Sequence, residues 1–154
     1  MQESRMIRKR LATGITIFLM CIAIFLYLNH RPVKIIAVHQ DKAYSSIIVD
    51  HMPLTAKGKI EWWMDHKDRL FKEYNVPKVD SDGLFRVYFW AFGEGYKELG
   101  KYDRLCFDDM PEPKNCIDKD NLMIVAKTRE GNMRYTFDDS VYIQTPDGAL
   151  KKRK

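Results

Sequence analysis

An uncharged apolar run near the N-terminus constrains this chain more than any other feature. Residues Leu11 to Leu28 form eighteen consecutive positions without a formal charge. At about 1.5 Å per helical residue the run reaches roughly 27 Å, close to the ~30 Å hydrocarbon core of a bilayer. The alternative is a buried core helix, but a chain of 154 residues rarely has enough protein to cover a helix that is apolar all round. The run therefore predicts a transmembrane anchor over residues 11–28.

Basic side chains are concentrated before this span. Four of them precede it, namely Arg5, Arg8, Lys9 and Arg10. Only Arg31 and Lys34 follow it closely. The positive-inside rule then predicts a cytoplasmic N-terminus over residues 1–10 and an exported domain over residues 29–154. In a bacterium this is a single-pass inner-membrane protein with a periplasmic domain.

Two kinds of processing would remove the anchor, and neither fits the sequence. A cleaved signal peptide needs a shorter apolar core and a small-x-small site, which the segment "YLNHRPV" does not offer. Lipoprotein processing at Cys21 needs small residues before it, but "FLM" precedes it. We therefore expect the anchor to be retained, with Cys21 packing as a small apolar side chain.

Two further cysteines, Cys106 and Cys116, flank an acidic loop that contains prolines. They could form a disulfide, remain a reduced pair or contribute to a metal site. A metal site would need two further ligands at suitable spacing, and neither C-x-x-C nor H-x-x-x-H occurs. The exported compartment favours the disulfide, because thiols in the periplasm are oxidised. We expect no cofactor or metal.

The net charge of +5 is concentrated at the two ends of the chain. Residues 29–150 carry 18 basic and 20 acidic side chains, so the exported body is slightly acidic. The C-terminal tail, "KKRK", supplies much of the positive charge. No basic stripe is available for nucleic acid, and we expect no nucleic-acid partner.

The exported part has the pattern of one α+β domain. Two β-rich runs, "PVKIIAVHQ" and "AYSSIIVD", predict a hairpin, and an amphipathic helix follows between Thr55 and Pro77. "LFRVYFWAF" is apolar on both faces and predicts a central strand, with "KYDRLCFD" expected to pair with it. Three further strands separated by turns complete an antiparallel meander. The predicted fold is an N-terminal transmembrane helix followed by an antiparallel sheet of six or seven strands, with one amphipathic helix packed on it.

The helix offers one candidate binding surface. At 100° per residue, one arc collects the residues expected to face the core: Ala56, Ile60, Trp63, Met64, Leu70, Phe71 and Tyr74. Trp62 falls on the opposite, charged side. Its neighbours there are Glu61, Asp65 and Arg69. An exposed tryptophan among charges suggests a protein interface, although the ring could instead pack under the following loop or against the bilayer surface.

The loop between the two cysteines is the second candidate binding surface. Its sequence "DDMPEPKN" places Asp108, Asp109 and Glu112 in a segment that a disulfide would constrain. A rigid acidic loop suits a basic protein partner. The alternative is a solvated connection between two strands.

Four stretches resemble a known family. They are "RPVKIIAVHQD", "KGKIEWWMDHKD", "DSDGLFRVYFWAFGEGYKELGKYDRLCFDDM" and "KNCI", and "GKYDRLCFDDM" followed by "NC" is the most specific of them. The sequence is similar to the enterobacterial putative membrane protein family, domain of unknown function 943. The resemblance implies a bacterial inner-membrane protein with one N-terminal anchor. It carries over no catalytic residues, because the family is defined without an activity.

Signatures of catalysis are weak throughout the sequence. The four histidines lie outside any motif with a nucleophile or metal partner. Within each of the doublets Asp108–Asp109 and Asp138–Asp139, the two carboxylates would point to opposite faces of a strand, so neither doublet forms an acid/base pair. We therefore predict a protein that is not an enzyme and that binds a protein partner, a toxin or an envelope protein. An immunity-type protein that neutralises a periplasm-acting toxin is one form of this function. The alternative is an envelope accessory or sensor subunit whose span pairs with another membrane protein.

Overall fold

The computed structural model describes residues 2–153 and contains two helices and nine strands over that range. The helices are α1 (Gln2–His30) and α2 (Ala56–Tyr74). The strands are β1 (Ile35–Asp41), β2 (Tyr44–Val49), β3 (Arg86–Ala91), β4 (Arg104–Cys106), β5 (Cys116–Asp118), β6 (Asn121–Lys127), β7 (Met133–Thr136), β8 (Val141–Gln144) and β9 (Leu150–Arg153). The α+β class, the apolar N-terminal helix and a sheet of seven strands are confirmed.

The main sheet has the strand order β1-β2-β3-β6-β7-β8-β9. Neighbouring strands run antiparallel, except that β2 and β3 run parallel. This pair departs from the predicted all-antiparallel sheet. The physical reason is α2, which crosses between β2 and β3 and brings the chain back to the same end of the sheet. The hairpin of β1 and β2 forms as predicted.

The sheet is packed on both faces. On one face α2 covers the centre of the sheet, and Trp63 and Leu70 pack there against Val87, Phe89 and Val125. The opposite face carries a smaller cluster in which Ile48 of β2 packs with Phe107 and Ile117. The two-stranded sheet of β4 and β5 supplies that smaller cluster. The domain therefore has three layers, with the cysteine-bearing hairpin opposite the helix.

The predicted pairing of "KYDRLCFD" with the central strand is wrong. The segment contributes β4, a strand of three residues that pairs only with β5. The free side of β3 is taken instead by β6, which has seven residues and a ladder from Arg86–Ala126 to Trp90–Asn121. A longer ladder satisfies more of the backbone groups of a buried central strand, so β6 is the better neighbour.

The ends of α2 follow the predicted signals. Thr55 is the N-cap, and its hydroxyl accepts a hydrogen bond of 3.0 Å from the Gly58 N–H. At the other end Asn75 adopts a left-handed conformation with φ of 55°, and its N–H donates to the Phe71 carbonyl at 2.9 Å. Pro77 lies just beyond, where a helix cannot continue.

The buried side of α2 differs from the predicted arc. Ile60, Trp63 and Leu70 are buried as expected, but Met64, Phe71 and Tyr74 are exposed by 36%, 59% and 38%. The buried arc is rotated by roughly 60° about the helix axis, toward Trp62, at 100° per residue. The apolar arc of α2 is wider than the contact between α2 and the sheet, so the sheet covers only part of it.

Candidate functional site

The first helix carries the candidate membrane span. It is long and apolar enough to cross a membrane, and none of its apolar window is buried. The hydroxyls of Thr13 and Thr16 each donate to a carbonyl four residues earlier at 3.0 Å, so their polar groups are satisfied within the helix. The helix continues past both ends of the predicted 11–28 span, from Gln2 to His30.

The segment that follows the span docks on the start of α2. The Asn29 side chain accepts a hydrogen bond of 3.0 Å from the Leu54 N–H. Gly58 permits this close approach, because a Cβ there would lie 3.0 Å from Pro53 Cβ and 3.3 Å from Asn29 Oδ1. Residues 29–33 form the linker between the span and the domain. The linker and α2 line a cleft of about 410 Å³, which we call the linker cleft.

Trp62 is buried in the floor of the linker cleft, so of the two possibilities that the sequence left open, an exposed ring or a covered one, the covered ring is found. Its exposed fraction is 8%. The His66 ring stacks on the indole at a centroid distance of 4.4 Å, and Phe89 meets it edge-on at 5.8 Å. Val33 of the linker packs against the same core. Helical periodicity could not show this, because the covering groups come from the linker and the sheet.

The charged residues around Trp62 line the linker cleft as a group. Glu61, Asp65 and Arg69 are all exposed there, together with Arg31 from the linker. Arg69 Nε lies 3.6 Å from a Glu73 carboxylate oxygen, an exposed pair one helical turn away. Exposed pairs of this kind contribute little stability. The cleft brings together the predicted helix residues, and their binding role stays a prediction.

The second predicted surface, the loop at residues 107–115, is fastened at its base by a disulfide. Cys106 and Cys116 are bonded to each other and are directly opposed in the β4–β5 register. The predicted export of the domain favoured a disulfide, and the disulfide itself is confirmed. The Phe107 N–H donates to the Asn115 carbonyl at 2.9 Å, and the buried Asn115 amide donates to the Phe107 carbonyl at 3.1 Å. We call this segment the acidic loop.

The acidic loop is also tied to the main sheet by a histidine that the sequence did not single out. His39 Nδ1 lies 2.8 Å from Asp109 Oδ1 and 2.9 Å from Oδ2, and its ring stacks on Phe107 at 3.8 Å. His39 Nε2 lies 3.1 Å from the Tyr96 hydroxyl. A carboxylate only accepts, so Nδ1 carries the hydrogen in this clasp and the Tyr96 hydroxyl can donate to Nε2.

The environment of the clasp keeps its tyrosine neutral. Burial, followed by the negative charge of Asp109, raises the pKa of the Tyr96 phenol. Both ring nitrogens of His39 are engaged, and the ring itself is 9% exposed. This geometry suits a fastener for the loop. Seventy positions separate His39 from Asp109, so no local motif could have indicated the pair.

The remaining acidic residues of the loop face solvent. Asp108 and Glu112 are exposed, and the Asp109 side chain is 54% exposed despite its contact with His39. A recess of about 560 Å³ separates the loop from the end of the β1–β2 hairpin and includes Asp41 and Tyr44. No lysine or arginine lines this recess among the described residues. Its electrostatic character therefore suits a cationic group.

Ion pairs hold the base of the β4–β5 hairpin. Lys97 Nζ lies 2.6 Å from both Glu94 and Asp118, and Arg104 Nε lies 2.9 Å from Asp118. Hydrogen bonds from Lys97 and then Arg104 lower the pKa of Asp118. The Lys97 backbone also exchanges two hydrogen bonds with Cys116, at 2.7 and 3.0 Å. The hairpin is thus fixed at both its base and its loop.

One of the comparisons with known proteins identifies a family for this chain. The sequence profile of the enterobacterial putative membrane protein family, domain of unknown function 943, matches residues 5–154. The chain belongs to this family. It is thus a member of a family of membrane proteins, and residues 2–153 contain one candidate span, α1, near the N-terminus. No curated protein and no solved structure matches it. Within residues 2–153, no group of three or more His, Cys, Asp or Glu side chains is placed to hold a metal ion.

Proposed function

We propose that this member of the domain of unknown function 943 family is a single-pass inner-membrane protein with a non-catalytic, protein-binding domain in the periplasm. In its most specific form it is an immunity-type protein, which neutralises a toxin that acts in the periplasm. The linker cleft and the acidic loop are its candidate contact surfaces.

The fastening of the acidic loop is the observation that carries this proposal. The disulfide holds the two ends of the loop, and the His39–Asp109 clasp holds its first part against the sheet. Asp108 and Glu112 are left exposed. A loop that is ordered before binding loses less conformational entropy when a partner docks, so the same contacts give a higher affinity.

The charge of the loop indicates the kind of partner. Its carboxylates face solvent on a domain whose body carries 20 acidic and 18 basic residues between positions 29 and 150. Acidic surfaces of this kind steer a basic protein into contact and discriminate against acidic ones. A toxin with a basic surface, reaching the periplasm, fits this requirement.

The proposal is tested first by a search for a toxin gene immediately upstream of the gene for this chain, whose presence would favour the immunity-type role. The product of such a gene is then exported in cells that carry the full chain. Wild-type protein should protect the cells. Asp108→Lys combined with Glu112→Lys should abolish protection, because both changes reverse exposed charges without touching the clasp. Asp82→Lys is the matched control, since it reverses an exposed carboxylate in the turn before β3.

Two outcomes would contradict parts of this proposal. Failure of the wild-type chain to protect, with the toxin confirmed in the periplasm, would remove the immunity-type role. Loss of protection when residues 11–28 are replaced by an unrelated span would favour the accessory-subunit alternative, because a simple anchor is replaceable. Retained protection by the anchor-swapped chain supports the binding domain as the active part.

A further inference from the structure

An open apolar groove runs along the side of α2 that faces away from the linker cleft. Met64 and Phe71, which are 36% and 59% exposed, form its α2 wall at a spacing of seven residues. Residues at this spacing lie on the same side of a helix. These are the apolar residues that periodicity assigned to the core, and the sheet leaves them uncovered.

The sheet forms the floor and the opposite wall of this groove. Tyr135 lies fully buried in the floor, and Met133 and Gln144 continue the surface across β7 and β8. The turn after β8 closes the far side with Pro146. The volume of this open groove between α2, β7 and β8 is about 730 Å³, and we call it the α2 groove.

The α2 groove has a position and shape that would accommodate a second helix. A helix with its side chains is about 10 Å wide, whereas strands are about 4.8 Å apart, so one helix covers roughly two strands. The main sheet has seven strands, and α2 packs over its centre. Within residues 2–153 the only other helix is α1, the candidate span. A helix lying beside α2 over β7 and β8 would complete this layer.

The charges at the edge of the groove specify the occupant. Lys67 lies on the α2 side and Lys127 at the end of β6, and both line the groove. In the described part of the chain neither ammonium group lies within 4.0 Å of a carboxylate oxygen. Asp68 is the one carboxylate residue among the lining residues. The surplus positive charge favours an occupant that carries carboxylates next to its apolar side chains.

A second copy of this chain is a poor occupant. Two copies related by a twofold axis would place the same groove on both sides of the contact. Each copy would then bring two lysines, Lys67 and Lys127, and a single carboxylate, Asp68, to the contact, and a surplus of like charge at an interface costs affinity. A partner helix with acidic flanks removes this conflict.

We propose that the α2 groove binds an amphipathic helix of a partner protein, with apolar side chains against Met64, Phe71 and Met133 and carboxylates toward Lys67 and Lys127. This inference rests on the proposed binding function and adds to the linker cleft and the acidic loop a third, chemically distinct surface. The acidic loop suits basic groups, whereas the α2 groove suits an apolar helix with acidic flanks. A partner that uses both would be held on opposite layers of the domain.

The test uses the full chain in zwitterionic nanodiscs and two fluorescent synthetic peptides. Both peptides have leucines at helical spacing, flanked by glutamates in one and by lysines in the other. Wild-type protein should bind the glutamate peptide about tenfold more tightly than the lysine peptide. Lys67→Glu combined with Lys127→Glu should reverse that preference, and Phe71→Ser should weaken both peptides. Lys72→Glu is the matched control, because Lys72 is exposed on α2 outside the groove.

Each contrary result overturns this inference. One is an equal affinity for both peptides after subtraction of empty nanodiscs, and another is an effect of Lys72→Glu as large as that of the groove pair. A third is light scattering that shows a dimer dissociated by Phe71→Ser, since the occupant would then be a second copy. If wild-type protein protects cells from the toxin but binds both peptides with equal affinity, the groove inference fails while the proposed function stands. If the groove variants reverse peptide preference but wild-type protein protects no cells, the proposed immunity-type role fails alone.

Discussion

At the scale of single residues, the clasp between His39 and Asp109 decides how the acidic loop is held. His39 is opposite Ser46 in the β1–β2 hairpin and reaches across to a loop seventy positions later. The Asp109 side chain is still 54% exposed, so solvent screens part of this interaction. Asp109 therefore combines a structural contact with a position on the predicted binding surface.

We expect Asp109→Ala to lower the free energy of unfolding by about 1 kcal/mol, because a partly exposed hydrogen bond to a histidine is lost. The amides of Phe107 and Met110 should exchange faster, since both are in hydrogen bonds at the edge of the loop. The measurement is hydrogen–deuterium exchange with urea unfolding of the full chain. Asp108→Ala, an exposed neighbour, should change neither, and equal effects of the two variants would refute the clasp.

Tyr135 gives the domain a pH dependence at alkaline pH. The residue is fully buried, and its hydroxyl donates to Gln144 Oε1 at 2.8 Å. Burial raises the pKa of its phenol from 10.0 to about 12. The unfolded chain therefore releases this proton at lower pH than the folded chain, so the stabilisation is complete below about pH 10 and is lost as pH rises toward about 12.

We expect Tyr135→Phe to remove this loss. Wild-type protein should lose about 1–3 kcal/mol more than the variant between about pH 10 and about pH 12, given 1.36 kcal/mol per pKa unit. The measurement is urea unfolding followed by tryptophan fluorescence, with the difference between the two proteins plotted against pH. A difference that does not change with pH would show that Tyr135 ionises equally in both states.

At the scale of elements, the β4–β5 hairpin is too short to be stable by its ladder alone. It pairs three residues on each side, and the disulfide joins its last pair. Isolated two-stranded hairpins are marginal in water. The disulfide, the Lys97 bridge and packing on Ile48 supply what the short ladder lacks.

We expect Cys106→Ser combined with Cys116→Ser to lower the free energy of unfolding by roughly 2–3 kcal/mol, as the chain-entropy model gives for a loop of this length. Binding of a partner to the acidic loop should weaken as well, because the loop must then be ordered on contact. Cys21→Ser is the control and should change neither quantity. Free alkylation of both thiols in non-reduced protein from the periplasm would contradict this prediction.

At the scale of the whole molecule, α1 and the folded domain differ in the kind of side chain that they expose. No residue of α1 is buried, and its exposed large side chains are apolar along the candidate span. The buried apolar residues of the domain form two clusters on either side of the sheet. One part of the chain suits lipid and the other suits water, and Asn29 joins them through its contact with Leu54.

We expect the domain to lie in the periplasm, because four basic residues precede the span and two follow it closely. An alkaline phosphatase fused after Lys154 should be active, and a fluorescent protein that requires the cytoplasm should be dark at the same site. The opposite pattern would contradict the topology. It would also remove the oxidising compartment on which the disulfide prediction was based.

The sequence by itself determined those features that depend on local pattern. The uncharged run indicated the span, and Thr55 and Pro77 bounded α2. The predicted export of the domain favoured a disulfide between Cys106 and Cys116. Each of these follows from contacts between near neighbours or from the medium that surrounds the segment. The α+β class followed from the same local periodicity, whereas the short strands β5 and β9 were not predicted.

Only the tertiary structure decided which apolar residues are covered. Trp62 is buried because the linker and Phe89 pack against it. Phe71 is exposed because the sheet beneath α2 does not cover it. A helical wheel gives the directions of side chains, but it does not contain the partner surface. The pairing of β3 with β6 and the His39–Asp109 clasp have the same origin. Each of them joins segments that are far apart in the chain. The stabilisation that each gives depends on hydrogen-bonding groups from both segments, and neither segment alone contains both partners.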